Sequence, residues 1–248
     1  MPYASRVIVV EVWVFGTLNH ILDRPVWNAL SARQRRQSIA KPHAVRLLPQ
    51  FGDFGAAYGY RSDQPANGLL AVSLTGRYIA CVEVDTVMPP PGLTIVAHSP
   101  GLQMIMPEPT EASSAPEFTA LGEADAHEMA ALVAATKPGP FGPESYRLGR
   151  FIGLRRGGNL VAMAGERLMP QGFTELASIC TRQEYRGRGY AAALVRQLAS
   201  EIQARGETPF LHVSAGNAAA RALYRTVGFV ERREMMLTVL AHTPDGPA

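Results

Sequence analysis

Lysine is almost missing from this chain: Lys41 and Lys137 are the only two among 24 Lys and Arg residues. The net charge is only +3, and the basic cluster Arg182, Arg186 and Arg188 lacks an aromatic stacking platform. Nucleic acid is therefore not an expected partner. Cysteine is nearly as rare, with two in 248 residues. Cys81 and Cys180 make neither a disulfide framework nor a metal pattern, and read as reduced thiols of a cytoplasmic protein. His20, His43 and His98 have no metal-ligand spacing, so no metal is expected. Long apolar runs are also lacking. The best, Val7–Leu18, is interrupted by Glu11 and falls short of the roughly 20 residues of a membrane span. No small-residue cleavage site follows it, so it reads as a β-prone segment or an extension, not a signal peptide. No membrane partner is expected.

What is present is enough apolar residue, 47%, to bury a real core. Asp23–Ala40 reads as a helix with Pro25 in its first turn. Ala44–Leu48, Leu69–Leu74, Tyr78–Val84 and Leu93–Ala97 read as strands, with Gly76-Arg77 as a hairpin turn. Pro107–Pro116 has almost nothing to bury and reads as a linker. It divides an N-terminal α+β domain, 1–110, from a second domain, 117–248. Beyond it the order is β-α-β-β-β-α-β-α-β, which predicts an α+β fold with a mixed sheet and helices on both faces. The strands are Phe118–Leu121, Tyr146–Arg155, Asn159–Glu166, Phe173–Thr181, Thr208–Val213 and Phe229–Leu240. The helices are Glu123–Thr136, Tyr190–Arg205 and Asn217–Val227.

Between Phe173–Thr181 and Tyr190–Arg205 lies Arg186-Gly187-Arg188-Gly189-Tyr190-Ala191. Glycines and arginines at a helix start make an anion site, because the first N–H groups have no intrahelical partner. Gly187-x-Gly189-x-x-Ala192 also fits a dinucleotide fingerprint. That fingerprint needs an acidic residue at the end of the next strand, where this chain has Ser214-Ala215, and Glu207 lies at the wrong end. No Gly-Lys-Ser/Thr follows, which removes a Walker loop.

Arg186-x-x-Gly189-x-Ala191 resembles the pyrophosphate loop of the GNAT superfamily of acyl-CoA-dependent N-acyltransferases. Ile179-Cys180-Thr181 resembles the cofactor-contacting strand, and Asn217 through Tyr224 to Gly228-Phe229 resembles the second cofactor helix and the strand after it. The resemblance covers roughly residues 117–240, and its wording is most similar to the branch related to glycine N-acyltransferase. It implies a mostly antiparallel central sheet and acetyl-CoA as co-substrate, held by Ile179, Cys180, Thr181, Arg186, Gly187, Arg188, Gly189, Tyr190, Ala191 and Asn217. It implies Tyr224 as the acid that protonates the leaving thiolate, in contact with the cofactor. Glu175, on the central strand, is the candidate general base, acting directly or through water, and reads equally as a solvated strand residue.

Cys180 reads as a buried strand thiol, since no partner for a nucleophile is placed by sequence. His212 reads as a core or cleft-lining histidine. The expected reaction is N-acetylation of a small-molecule amine or amino acid; the alternative is a non-catalytic acyl-CoA-binding regulatory module. The loops Lys137–Pro143 and Leu168–Gly172 are expected to line the acceptor cleft. The N-terminal half reads as a degenerate copy of the acyltransferase fold, a lid or a homodimer surface.

Overall fold

Phe173–Thr181 and Thr208–Val213 are strands with a long amphipathic helix between them, and such a unit pairs its strands in parallel. They do so in the computed structural model, which describes residues 20–59, 67–73, 78–112 and 118–243. The first half comprises α1 (Pro25–Leu30), β1 (Ser38–Lys41), β2 (Ala44–Leu47), β3 (Gly55–Ala57), α2 (Gly68–Ser73), β4 (Tyr78–Glu83) and β5 (Leu93–Ile105). The second comprises β6 (Thr119–Leu121), α3 (Ala126–Thr136), β7 (Phe151–Arg156), β8 (Asn159–Glu166), β9 (Phe173–Thr181), α4 (Tyr190–Ala204), β10 (Thr208–Ser214), α5 (Ala218–Thr226) and β11 (Val230–His242).

Among the described residues, eight strands form one sheet in the order β4-β11-β5-β10-β9-β8-β7-β6, and β1-β2-β3 form a small second sheet. Only β9 and β10 run parallel in the large sheet; its other pairs are antiparallel. Strand β5, from before Pro107–Pro116, lies between β10 and β11, from after it. The sheet therefore runs through strands from both sides of that stretch.

Strand alternation sorts the core into two faces. On one face Ile152, Leu154, Ala162 and Ala164 pack under Leu194, Val195, Leu198 and Ile202 of α4. Each of these four helix side chains is fully buried, a contribution of about 1.5–3 kcal/mol apiece. On the other face Phe151, Met163 and Cys180 pack against Met129 and Leu132 of α3. Further along that face, Val82, Phe210 and Met235 are covered by Leu22, Val26, Leu30, Leu47 and Phe54 of the N-terminal segment. One sheet face is thus shared by two covers, α3 at one end and the N-terminal layer at the other.

Three expected elements differ. The strand expected over Tyr146–Arg155 begins only at Phe151, after a 3-10 turn at Ser145–Arg147. Leu69–Leu74 is not a strand: Gly68–Ser73 is helical and buries Leu69 and Val72. A short apolar run fits a buried helical turn as well as a strand, and periodicity does not separate them. Asp23–Ala40 is not one helix. The α-helix stops at Leu30, a 3-10 turn follows at Arg35–Gln37, and Ser38–Lys41 pairs with Ala44–Leu47. Ser31–Gln37 offers no large apolar residue to bury, and the Ser31 hydroxyl donates back to the Trp27 carbonyl at 2.6 Å. Val7–Leu18, Gly76-Arg77 and residues 113–116 lie outside the described residues. No helix among the described residues is long and apolar enough to cross a membrane.

Candidate active site

Strands β9 and β10 pair only where Phe173–Glu175 meets Thr208–Phe210, and then part. Two features drive them apart. Strand β10 continues along β5, from Phe210↔Ile105 to Ser214↔Gly101. Strand β9 carries a bulge: its pairing to β8 shifts register between Met163 and Gly165, and Ser178 takes a left-handed φ of 53°. A bulge of this kind bends its strand and increases the local twist. A cleft of about 870 Å³ opens there, lined by residues of β9, β10, α4, α5, the loop after α3 and the N-terminal layer.

One end of the cleft is made of backbone. Gly187 and Gly189 sit at φ 75° and 77°, a conformation that side-chain-bearing residues rarely hold. A Cβ at either would meet nothing within 4 Å, so dihedral angle, not crowding, selects glycine. Gly189 is the N-cap of α4, and the first helical bond there is Ala193 N to Gly189 O at 3.0 Å. The N–H groups of Tyr190, Ala191 and Ala192 are therefore available to an anion. Arg186, Gly187, Gly189, Tyr190 and Ala191 line the cleft. Arg188 does not: its guanidinium stacks over the Tyr185 ring at 5.0 Å and donates to the Glu184 carbonyl.

Midway along, Ile179, Cys180 and Thr181 present the open edge of β9 to the cleft. The Thr181 hydroxyl oxygen is buried without a partner among the described residues. Asn217 caps α5, accepting from Ala220 N at 3.1 Å, and also lines the cleft. Tyr224, on the last turn of α5, is 8% exposed, meets Phe229 edge-on and also lines the cleft. Burial, with Cys180 nearby, pushes its phenol up to about 12, so it stays protonated at neutral pH. Burial likewise pushes the Cys180 thiol up to about 11, which leaves it un-ionised and a poor nucleophile.

The far end is made of side chains. Phe54, Val82, Met235 and Leu237 form an apolar wall, with Arg167 and His212 beside it. Glu175 is 0% exposed and does not line the cleft. Both its carboxylate oxygens are taken: Arg167 donates to them at 2.8 and 2.7 Å, and His212 Nδ1 lies 2.7 Å from Oε1. Burial alone would raise this carboxyl, but the Arg167 guanidinium and the His212 bond outweigh it and hold it at about 2. The reading of Glu175 as a solvated strand residue does not hold, because the carboxylate is enclosed and bonded at both oxygens.

His212 is fixed from its other side too. Gln103 Oε1 accepts from Arg232 at 2.7 Å, so its amide nitrogen faces the Leu22 carbonyl and His212 Nε2, each at 2.9 Å. Nε2 of His212 is then the acceptor and Nδ1 carries the proton given to Glu175. Both ring nitrogens are occupied. Arg232 closes the chain on Asp23 at the edge of the N-terminal layer.

The cleft thus gathers Ile179, Cys180, Thr181, Arg186, Gly187, Gly189, Tyr190, Ala191, Asn217 and Tyr224, and leaves out Glu175 and Arg188. Of the loops expected at the acceptor side, Lys137–Pro140 line it, while Leu168–Gly172 do not and the preceding Arg167 does. Sequence reasoning missed Arg167, Gln103 and the wall drawn from Phe54, Val82, Met235 and Leu237. No local signal marks them, because the β9–β10 and β5–β11 registers bring them together.

A family model described as FR47-like protein matches residues 151–237. The N-alpha-acetyltransferase RimI of Mycobacterium tuberculosis (strain ATCC 25618 / H37Rv) is 38% identical over 121 residues, which are 44% of this chain and 75% of that protein. A crystal structure of a candidate acetyltransferase from the GNAT family of Novosphingobium aromaticivorans DSM 12444 is 42% identical. It aligns over 91% of this chain and 100% of its own with a TM-score of 0.83, so the N-terminal layer is shared as well. A GCN5-related N-acetyltransferase from Kribbella flavida shares the fold at 20% identity and a TM-score of 0.53, over 88% of this chain and 96% of its own.

Proposed function

The chain belongs to the GNAT family of N-acyltransferases, and on that premise we propose that it transfers an acetyl group from acetyl-CoA to the α-amino group of its acceptor. The observation that carries the reading is Tyr224: a protonated phenol on the cleft wall, between an open strand edge and a glycine-built helix start. A binding module has no use for such an acid.

The residues fit the co-substrate. The left-handed Gly187 and Gly189 expose helix-start N–H groups suited to a pyrophosphate, and Arg186 adds charge. The edge of β9 at Ile179–Thr181 offers main-chain groups to the pantetheine amides, with the unpartnered Thr181 hydroxyl beside them. Acetyl-CoA supplies an activated acyl group on a good leaving thiolate. The backbone N–H groups of β9 polarise the acyl oxygen, and Tyr224 Oη gives its proton to the departing sulfur.

The acceptor end supports an α-amine. Among the described residues no Asp or Glu lines the cleft, and Glu175 and His212 are already bonded. An amine that arrives neutral needs no enzymic base to attack; as the C–N bond forms and the C–S bond breaks, its nitrogen sheds one proton to water, and the Tyr224 phenolate left after protonating the sulfur takes a proton back from water. An α-amino group, with a pKa of roughly 7.7–8.0, is partly neutral near pH 7.5, whereas a lysine-type amine at roughly 10.4 is not. The relative named as an N-alpha-acetyltransferase agrees with this choice. Free amino acids, their amides and chain N-termini all present that group.

The test is free-thiol release from acetyl-CoA with a panel of α-amines and of alkylamines. Release with the α-amines is expected. CoA binding in calorimetry without release from any amine would favour an acyl-CoA-binding module, and absence of CoA binding would sink both readings.

A further inference from the structure

Resting on that reading, we infer that the acceptor carries an uncharged apolar side chain next to its reacting amine, and that a wall made of Val82, Met235 and Leu237 on the sheet, with Phe54 of the N-terminal layer, sets this preference. Tyr224 and Ile179–Thr181 hold the reacting centre, and the glycine turn occupies one side of it. The space on the other side is bounded by Phe54, Val82, Met235 and Leu237, which belong to one buried cluster with its half-buried fringe. Val82 and Leu237 are cross-strand partners, and Leu237 also faces Ser99 on its other flank, so the wall is one continuous row across β4, β11 and β5. Phe54 arrives from the N-terminal layer and is held by Arg167, whose guanidinium lies over its ring at 4.5 Å.

Charge narrows the choice. Arg167 is balanced by Glu175, Arg186 is assigned to the pyrophosphate, and among the described residues no Asp or Glu lines the cleft. A second ammonium, as in a polyamine or a lysine side chain, finds no counter-charge there. A neutral aliphatic or thioether side chain instead gains the apolar wall. The acceptor class is therefore the α-amine of a Leu- or Met-like residue, free or as an amide.

The experiment compares kcat/KM for leucinamide, methioninamide, glycinamide and lysinamide, on the wild type, Leu237→Asp and Leu237→Met. Leu237 is half-buried, and CoA affinity reports whether each variant is folded. In the wild type leucinamide should exceed glycinamide and lysinamide by about tenfold or more, the range that an apolar pocket provides. Leu237→Asp should remove most of that ratio with CoA affinity unchanged, and Leu237→Met should restore it. Glycinamide or lysinamide equalling leucinamide in the wild type, or a ratio untouched by Leu237→Asp, overturns the inference. If no amine releases thiol, the transfer reading falls separately. Saturation-transfer NMR on the CoA-loaded protein then decides the acceptor: selective contact with leucinamide supports the inference, and equal or no contact overturns it.

Discussion

The two ends of the cleft are built from different materials. At the glycine turn the surface is backbone, set by two left-handed glycines and a helix start within one short stretch of chain. At the opposite end it is side chain, assembled from Phe54, Val82, Arg167, His212, Met235 and Leu237 on separate elements. The first end answers to local geometry, so it can be lost through one dihedral angle. The second answers to packing and register, so it can be altered residue by residue while the fold persists. Tyr224 belongs to neither end; in the proposed reaction it is the acid, and among the described residues no Asp or Glu lines the cleft beside it.

The sharpest way to separate the two ends is to remove the acid alone. Tyr224→Phe should lower kcat by about 10²–10⁴ while the Kd for CoA in calorimetry stays nearly unchanged. An equal loss of both would make Tyr224 a packing residue. At the acceptor end, Arg167→Met leaves Glu175 buried beside only His212, and should cost about 3–5 kcal/mol in urea unfolding. The pH dependence identifies the cause. Glu175 is held at about 2 against an ordinary value of 4.5, so its contribution is complete above pH 4.5 and fades as the pH falls through the folded value. The wild type should lose stability over that window, and Arg167→Met should lose less. At the glycine end, Gly189→Val forces a β-branched residue to φ 77°, a strain of roughly 1–2 kcal/mol. CoA affinity should fall about tenfold, with the ranking of acceptors preserved. A variant that changed the ranking instead would break the distinction between the ends.

The same difference decides what could be read from the sequence. Ile179 through Ala191 and Asn217 through Tyr224 are contiguous stretches, and a strand–turn–helix with two glycines carries its geometry with it. That is why the turn, the Asn217 cap and the site of Tyr224 were legible. The burial and partners of Glu175 were not. Whether a strand glutamate faces solvent, cleft or core depends on which strands flank it, and the insertion of β5 next to β10 decides that. Gln103 and His212 face one another through that insertion, at a separation no spacing rule covers. Pro107–Pro116 is turn-rich in composition, yet the strands on its two sides share one sheet, since composition reports local order and not pairing. Leu69 and Val72 show the remaining limit: a short apolar run marks burial without naming the element.

The claim of an acid without a base is tested most directly by the pH dependence of kcat/KM with two α-amine acceptors whose own amine pKa values differ by about one unit. With the amine arriving neutral, each profile should rise with its acceptor's pKa, and the two midpoints should separate by that same unit. Two profiles rising at one shared midpoint would contradict the account, because they would report a proton-accepting group of the protein.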